Sequence, residues 1–393
     1  MIKLRKYQED SVKEILSFFY NGQKKDRPIA CLPTGAGKSI VIADVTSKLK
    51  KGVLVLQPSK ELLEQNYSKF KMYGGRASIY SASMGVKNIG EITFATIGSI
   101  VNKAELFAHK KYIIIDECHL VPPVNSSQYM KFLSKLSDVK VAGLTATPFR
   151  LKKYNDPFNG KPFSKINLLP RELPRFFNKF IYVIQIKDLK DMGFIAPIKY
   201  IPMSWSNGKL KINTTGAEYT DESIDFALKD QKVHERLPNI IKQSIEKGRK
   251  YRIVFVKSIE EAIELSKKVP SSACVHSGIN KKEREKLLND FKGGKIKTMF
   301  NVGVLTIGFD FPELDTIIIA RPTMSLALYM QMCGRGMRPC EGKKDCAVVE
   351  MCGNYERFGK VEDIKYYEDD SVGWVIHNGV RQLSGLRLDE NNE

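Results

Sequence analysis

Apolar runs of buried-strand length punctuate the chain at 29–32, 53–57, 112–115 and 139–144. Runs this short, bounded by turn signals, fit strands rather than helices. Helical patterns lie between them. Val12, Ile15, Leu16 and Phe19 share one face of a helix ended by Asn21-Gly22, and 40–49 has helical periodicity. The strand–loop–helix alternation across 28–148 predicts one doubly wound α/β domain. A second α/β pattern begins near Ile184, with strands expected at 198–201, 253–256, 273–275, 298–301, 316–320 and 346–351. Helices are expected at 259–268 and 281–291, and 205–222 reads as a polar loop or hairpin.

Between these halves, residues 151–180 hold four prolines, five phenylalanines and seven Lys/Arg against two acids. Proline at that density breaks regular structure, and the stretch reads as an ordered interdomain connection with its aromatics packed on a domain surface, or as a basic aromatic element touching nucleic acid. The chain therefore divides into 1–150, a connection 151–183, a second domain 184–355 and a polar tail 356–393. Trp374 and Val375 are the tail's candidate docking residues.

Length and composition narrow the class. A chain of 393 residues holds two or three domains, and 42% hydrophobic with 27% charged residues fits an ordinary soluble protein. Lys+Arg exceed Asp+Glu by 63 to 44, a formal +19, which suits a polyanion such as nucleic acid. Seven cysteines in a chain this size do not read as a disulfide framework. Cys333, Cys340, Cys346 and Cys352 lack the paired spacing of a zinc site, and Cys346 falls in an expected core strand. The charged N-terminus and the lack of any membrane-length apolar run predict a cytoplasmic setting without membrane contact.

The chemistry is concentrated in a few stretches. "LPTGAGKS", 32–39, joins an apolar strand to a helix. Gly35 and Gly37 let the backbone curl so that N–H groups face an anion, and the helix dipole adds to the attraction. Pro33, Thr34, Gly35, Ala36 and Gly37 would form the cradle, Lys38 would reach outer phosphates, and Ser39 would face Mg2+. Leu32 stands where the strict phosphate-loop pattern has its first glycine. "IIIDECH" places Asp116 and Glu117 at a strand's carboxyl end, where open parallel sheets present ligand groups. Asp116 would serve the Mg2+ shell, and Glu117 would orient and deprotonate the attacking water. "QMCGRGMR", 331–338, offers Arg335 and Arg338 at i and i+3, one face if helical, as cis arginine fingers.

These motifs, in this order, resemble those of superfamily 2 helicases of the DEAD/DEAH-box kind, over residues 4 to about 355. The resemblance implies two tandem RecA-like domains with an ATP cleft between them. "LRKYQ" resembles the adenine-recognising motif, through Arg5 and Gln8. "PSKELLEQ" and "ATIGS" imply strand-gripping Ser59, Thr96 and Ser99. "DECH" and "TATP" imply coupling of hydrolysis to strand contact through His119, Thr145 and Thr147. "VHSG" and "VLTIGFDFP" imply Ser277, Gly278 and Thr306 toward nucleic acid, with Gly308 and Asp310 toward nucleotide. Gln331 would face the acidic motif. Within this class the wording is most similar to RadD-type DNA repair helicases, without their cysteine-rich C-terminal region.

The expectation is thus a monomeric ATP- and Mg2+-dependent motor on nucleic acid, DNA favoured and RNA open, with protein partners unspecified. A duplex-tracking or restriction-system motor, an RNA-directed helicase and an ATP-gated switch are the alternatives. A catalytically dead binder is disfavoured by intact Lys38, Ser39, Asp116, Glu117, Arg335 and Arg338.

Overall fold

The computed structural model describes residues 3–160, 162–206, 209–305 and 310–385. They form two compact units. The first holds residues up to 150 together with 167–185 and 366–375; the second holds 151–166, 186–365 and the chain from 376.

In chain order the first part carries β1 Pro28–Cys31, β2 Val53–Gln57, β3 Ser78–Ser81, β4 Val86–Lys87, β5 Ile92–Thr96, β6 Tyr112–Asp116 and β7 Lys140–Thr145. Then come a two-stranded hairpin, β8 Phe149–Asn155 and β9 Pro162–Leu168, and the strand β10 Lys179–Val183. The first sheet runs β10-β1-β7-β6-β2-β5-β3-β4, parallel except for the β3–β4 pair. Every residue of β1, β2 and β5 is buried. That follows from a parallel sheet covered on both faces, which leaves no solvent side for polar alternation. Phe107, Phe132 and Phe177 pack with Leu54, Ile113 and Ile115 in its core.

The second unit is built on β11 Ile198–Pro202, β12 Arg252–Phe255, β13 Ser272–His276, β14 Thr298–Val302, β15 Thr316–Ile319 and β16 Cys346–Glu350. Its order is β11-β16-β15-β12-β14-β13, parallel throughout. Leu237 and Ile241 from the helix Val233–Glu246 pack on Val254, Phe300 and Ile318. Residues 205–222 include a short antiparallel bridge, Ile212 to Tyr219, leading into the helix Asp221–Asp230.

Two regions hold more regular structure than the sequence reading gave them. The stretch 151–183 is ordered, with Phe176 and Phe177 in the core, and it holds regular strands that its proline density spoke against. Pro157 sits in the hairpin turn, Pro162 opens β9 and Pro170 lies in a 3-10 turn, so these prolines fall at element boundaries where no ladder donor is lost. Its last strand, β10, pairs with β1 and completes the first sheet. The tail also has structure: β17 Lys365–Asp369 and β18 Gly373–His377 form a second two-stranded sheet. Trp374 packs on Phe180 with ring centroids 4.5 Å apart, and its carbonyl accepts from Arg171 at 3.0 Å.

Candidate functional site

In the first unit the register brings Cys31 of β1 opposite Thr145 of β7, and Asp116 of β6 opposite Leu144. Three loops therefore leave the sheet side by side. The loop 32–37 runs into the helix Lys38–Leu49, whose N-cap Gly37 is left-handed at φ 81°; Gly35 lies at φ 86°. A Cβ on Gly37 would sit 2.6 Å from Gln8 Nε2, so this position admits only glycine without displacement. Gln8 is buried and turned into the loop. Its Nε2 donates to the Ala36 carbonyl at 2.9 Å, and its Oε1 accepts from the Arg5 N–H at 3.0 Å. Tyr7, which sequence reasoning missed, donates its hydroxyl to the same carbonyl at 3.0 Å. The two side chains strut the loop, so Gln8 spends its amide on the phosphate loop rather than presenting it outward.

Lys38 Nζ lies 3.6 Å from Glu117 Oε1, and both side chains are largely buried. Glu117 itself occupies a left-handed turn at φ 47°, which swings its carboxylate away from the path of β6. Asp116 accepts from Asn66 Nδ2 at 2.7 Å and from the Glu117 N–H at 2.9 Å. Asn66 sits in the helix Lys60–Lys71 with no motif to announce it. Burial, then the neighbouring Glu117, pushes the Asp116 carboxyl up, while Lys38 and Asn66 oppose the shift. A divalent cation would offset that cost of ionisation, so Asp116 fits a ligand of Mg2+, with Ser39 the candidate second ligand. When bound, such an ion supplies charge neutralisation of the phosphates.

His119 lies beyond Glu117 in the same turn. Its Nδ1 is 2.8 Å from Thr145 Oγ1 and 3.4 Å from Glu117 Oε2. Burial holds the imidazole below its usual range, so it is neutral at pH 7 and its contact with Glu117 is dipolar rather than an ion pair. Thr145 Oγ1 also accepts the Thr147 N–H at 3.0 Å. The turn is braced by Arg150, a third residue missed from sequence. Its guanidinium donates to the His119 carbonyl at 2.5 Å and to the Val121 carbonyl, and pairs with Glu172 at 2.6 Å. Lys38, Glu117, His119, Thr145 and Thr147 thus form one continuous polar chain.

The strand-gripping candidates sit further along the same sheet edge. Gln57 and Thr96 are register partners, so Ser59 and Thr96 leave adjacent strands. Ser59 caps the helix Lys60–Lys71 by accepting the Leu62 N–H at 3.4 Å. Thr96 and Ser99 hydroxyls are 2.8 Å apart, and Ser99 Oγ accepts the Ala82 N–H at 2.8 Å.

In the second unit, Ser277 and Gly278 are exposed just past β13, the edge strand. The Gly278 N–H donates to His276 Nδ1 at 3.2 Å. Thr306 and Gly308 lie outside the described residues. Arg335 and Arg338 do not share a helical face. The helix Leu326–Gly334 stops with Arg335 as its C-cap, and Arg338 follows a turn. The turn packs directly on β16: a Cβ at Gly336 would lie 2.4 Å from Cys346 Sγ. Pro339 further disfavours helix at Arg338. Arg335 is buried, and Arg338 Nη1 pairs with exposed Asp310 at 2.9 Å. Gln331 is half-buried on the helix before them.

A glycine-rich loop before a helix, an acidic strand end and a coupled threonine turn on a parallel sheet define a P-loop NTPase. Sequence comparison gives the class more closely. Residues 1–150 match the family model "Type III restriction enzyme, res subunit", and 232–340 match "Helicase conserved C-terminal domain". Together the two models give the chain the domain pair of superfamily 2 helicases, an ATP-dependent enzyme class, and its two parallel sheets are the fold of tandem RecA-like domains.

Among curated relatives, a 51.5 kDa protein of a Lactococcus phage is 28% identical over 89% of this chain and 71% of its own. The putative mitochondrial ATP-dependent helicase irc3 of Schizosaccharomyces pombe is 28% identical over 91% of this chain. Only 58% of irc3 is spanned, so that relative is much longer. The DNA 3'-5' translocase XPB2 of Sulfurisphaera tokodaii is 26% identical over 89% of this chain and 81% of its own. Among solved structures, a fragment of a putative HsdR subunit of a type I restriction enzyme from Vibrio vulnificus superposes with TM-score 0.67. It is 23% identical, over 91% of this chain and 65% of that one. Saccharomyces cerevisiae Dbp5 bound to RNA and ADP BeF3 gives TM-score 0.56 at 17% identity, over 89% and 84%. Among the described residues no helix is long and apolar enough to cross a membrane.

Proposed function

We propose that the protein is an ATP- and Mg2+-dependent DNA motor that moves on or unwinds DNA. The observation that carries this reading is the polar chain from Lys38 through Glu117 and His119 to Thr145. In it Lys38 holds the outer phosphates, Glu117 orients and deprotonates water, and His119 with Thr145 and Thr147 relays the state of the site. Arg335 and Arg338 are the candidates to complete the charge on the transferring phosphoryl group. Ser59, Thr96, Ser99, Ser277 and Gly278 contact the backbone, which makes binding sequence-independent and salt-sensitive.

DNA is favoured by the XPB2-like similarity and by the motif wording, which also supports a repair role of the RadD kind. A duplex-tracking motor without strand separation is the second reading, favoured by the match to the restriction-enzyme model. The test is steady-state ATP hydrolysis with no nucleic acid, single-stranded DNA, duplex, fork and matched RNA. Stimulation by one DNA form, reduced at least about 100-fold in Glu117→Gln, is the expected result. Hydrolysis indifferent to every nucleic acid overturns the motor, and preference for RNA overturns the DNA assignment. Strand displacement on the fork separates unwinding from duplex tracking.

A further inference from the structure

Apart from Arg150 at its base, the hairpin β8–β9 takes no part in the site described above, yet it is a built element. Its turn is fixed by Asp156, whose Oδ1 accepts the N–H groups of Phe158 and Asn159 at 2.8 and 3.3 Å. The Asp156 carbonyl accepts the Gly160 N–H at 2.9 Å, with Gly160 left-handed at φ 69°. This turn holds Phe158 at 97% exposure. A single exposed apolar side chain is ordinary on a protein surface; its setting is not. Tyr154 and Phe163 stack behind the turn, centroids 5.7 Å apart and planes 21° from parallel, with Lys165 Nζ within 5.8 Å of both rings. Among the described residues of 151–166 the charged groups are Lys152, Lys153, Lys165 and Asp156, and the one acid is buried in the turn. The hairpin is also seated. Lys153 Nζ donates to the Thr214 carbonyl at 2.5 Å, and Ser164 donates to the Gly216 carbonyl. A Cβ on Gly216 would meet Ser164 Oγ at 2.8 Å and Lys153 Cβ at 2.9 Å, so glycine there lets the strands settle.

We propose that this hairpin binds an unpaired nucleic-acid base, with Phe158 stacking on it and the basic flank of the hairpin favouring the polyanion. An aromatic face supplies sequence-tolerant stacking, and a cationic flank with its acid turned inward matches a phosphate backbone. A fixed turn presents the ring without the entropy loss of ordering a loop on binding. The inference deepens, and rests on, the nucleic-acid motor reading.

The test uses the whole chain with Phe158→Ala and Phe158→Trp, and a DNA fork carrying 2-aminopurine at the first unpaired position. Phe158 is solvent-exposed, so neither change removes a core contact. Wild type and Phe158→Trp should change the fluorescence of the probe base on binding. Phe158→Ala should lose that signal, bind single-stranded and forked DNA about 5- to 100-fold more weakly, and keep its hydrolysis of ATP without DNA. Unchanged affinity and unchanged probe signal in Phe158→Ala, with wild-type DNA-stimulated hydrolysis intact, overturn the hairpin assignment alone. Absence of nucleic-acid binding by the wild type overturns the motor reading and this proposal together.

Discussion

Gln8 Nε2 donates to the Ala36 carbonyl at 2.9 Å, immediately before the left-handed Gly37 that opens the phosphate-loop helix. The conformation of the loop therefore depends on a side chain 28 residues earlier in the sequence. Gln8→Ala leaves Ala36 with the Tyr7 hydroxyl and removes the acceptor of the Arg5 N–H. Loss of such buried bonds costs about 1 kcal/mol each. A strut relaxes for every nucleotide alike, so KM should rise about tenfold for ATP and for GTP in parallel. A rise confined to ATP would instead place Gln8 on the adenine edge. Steady-state kinetics with both nucleotides distinguishes the two.

Thr145 Oγ1 stands between His119 Nδ1 and the Thr147 N–H, at 2.8 and 3.0 Å. Thr145→Val keeps the shape and removes both contacts. A buried N–H left without a partner costs about 1–3 kcal/mol. The expected outcome is nearly unchanged KM for ATP with nucleic-acid stimulation of kcat reduced about tenfold or more. Thr145→Ser should recover most of it. Equal loss of stimulated and unstimulated rates would show that Thr145 supports the site without coupling it.

Glu350 ends β16 fully buried, accepting from Asn354 Nδ2 at 2.7 Å and from the N–H groups of Cys352 and Tyr355. Burial pushes its carboxyl up from 4.5 to about 7, against these donors. Between those two values the folded chain holds a proton that the unfolded chain has lost. Stability therefore falls as pH rises through that window, and above it the full cost of a buried carboxylate remains. At about 1.4 kcal/mol per pH unit, the loss is on the order of a few kcal/mol. Thermal unfolding from pH 5 to 8 should show Tm falling in the wild type and a flatter profile in Glu350→Gln. Matching profiles would mean that Glu350 is already ionised at the low end, held so by its donors.

Local signals were enough for most of the elements and for the nucleotide-site motifs. The six strands of the second sheet fall within a residue or so of their apolar runs, most directly for the central β12, β14, β15 and β16, which are covered on both faces and so carry little polar alternation. The glycine-rich turn and the acidic strand end were legible because their chemistry is carried by neighbours in sequence. What pairs across distance was not. Nothing in the "FNKFIYV" run says that it joins β1, since strand order is decided by packing between elements. Arg335 and Arg338 fit a helix by spacing, but the helix ends at Gly334 and the turn that follows packs through Gly336 on Cys346. Asn66 and Arg150 carry no local mark of their roles, because a hydrogen bond to Asp116 or to the His119 carbonyl exists only once separate elements are brought together. The sequence by itself determined which residues can bind phosphate and make charge. The tertiary structure alone decided which of them meet, because burial and register set distances that local propensity does not encode.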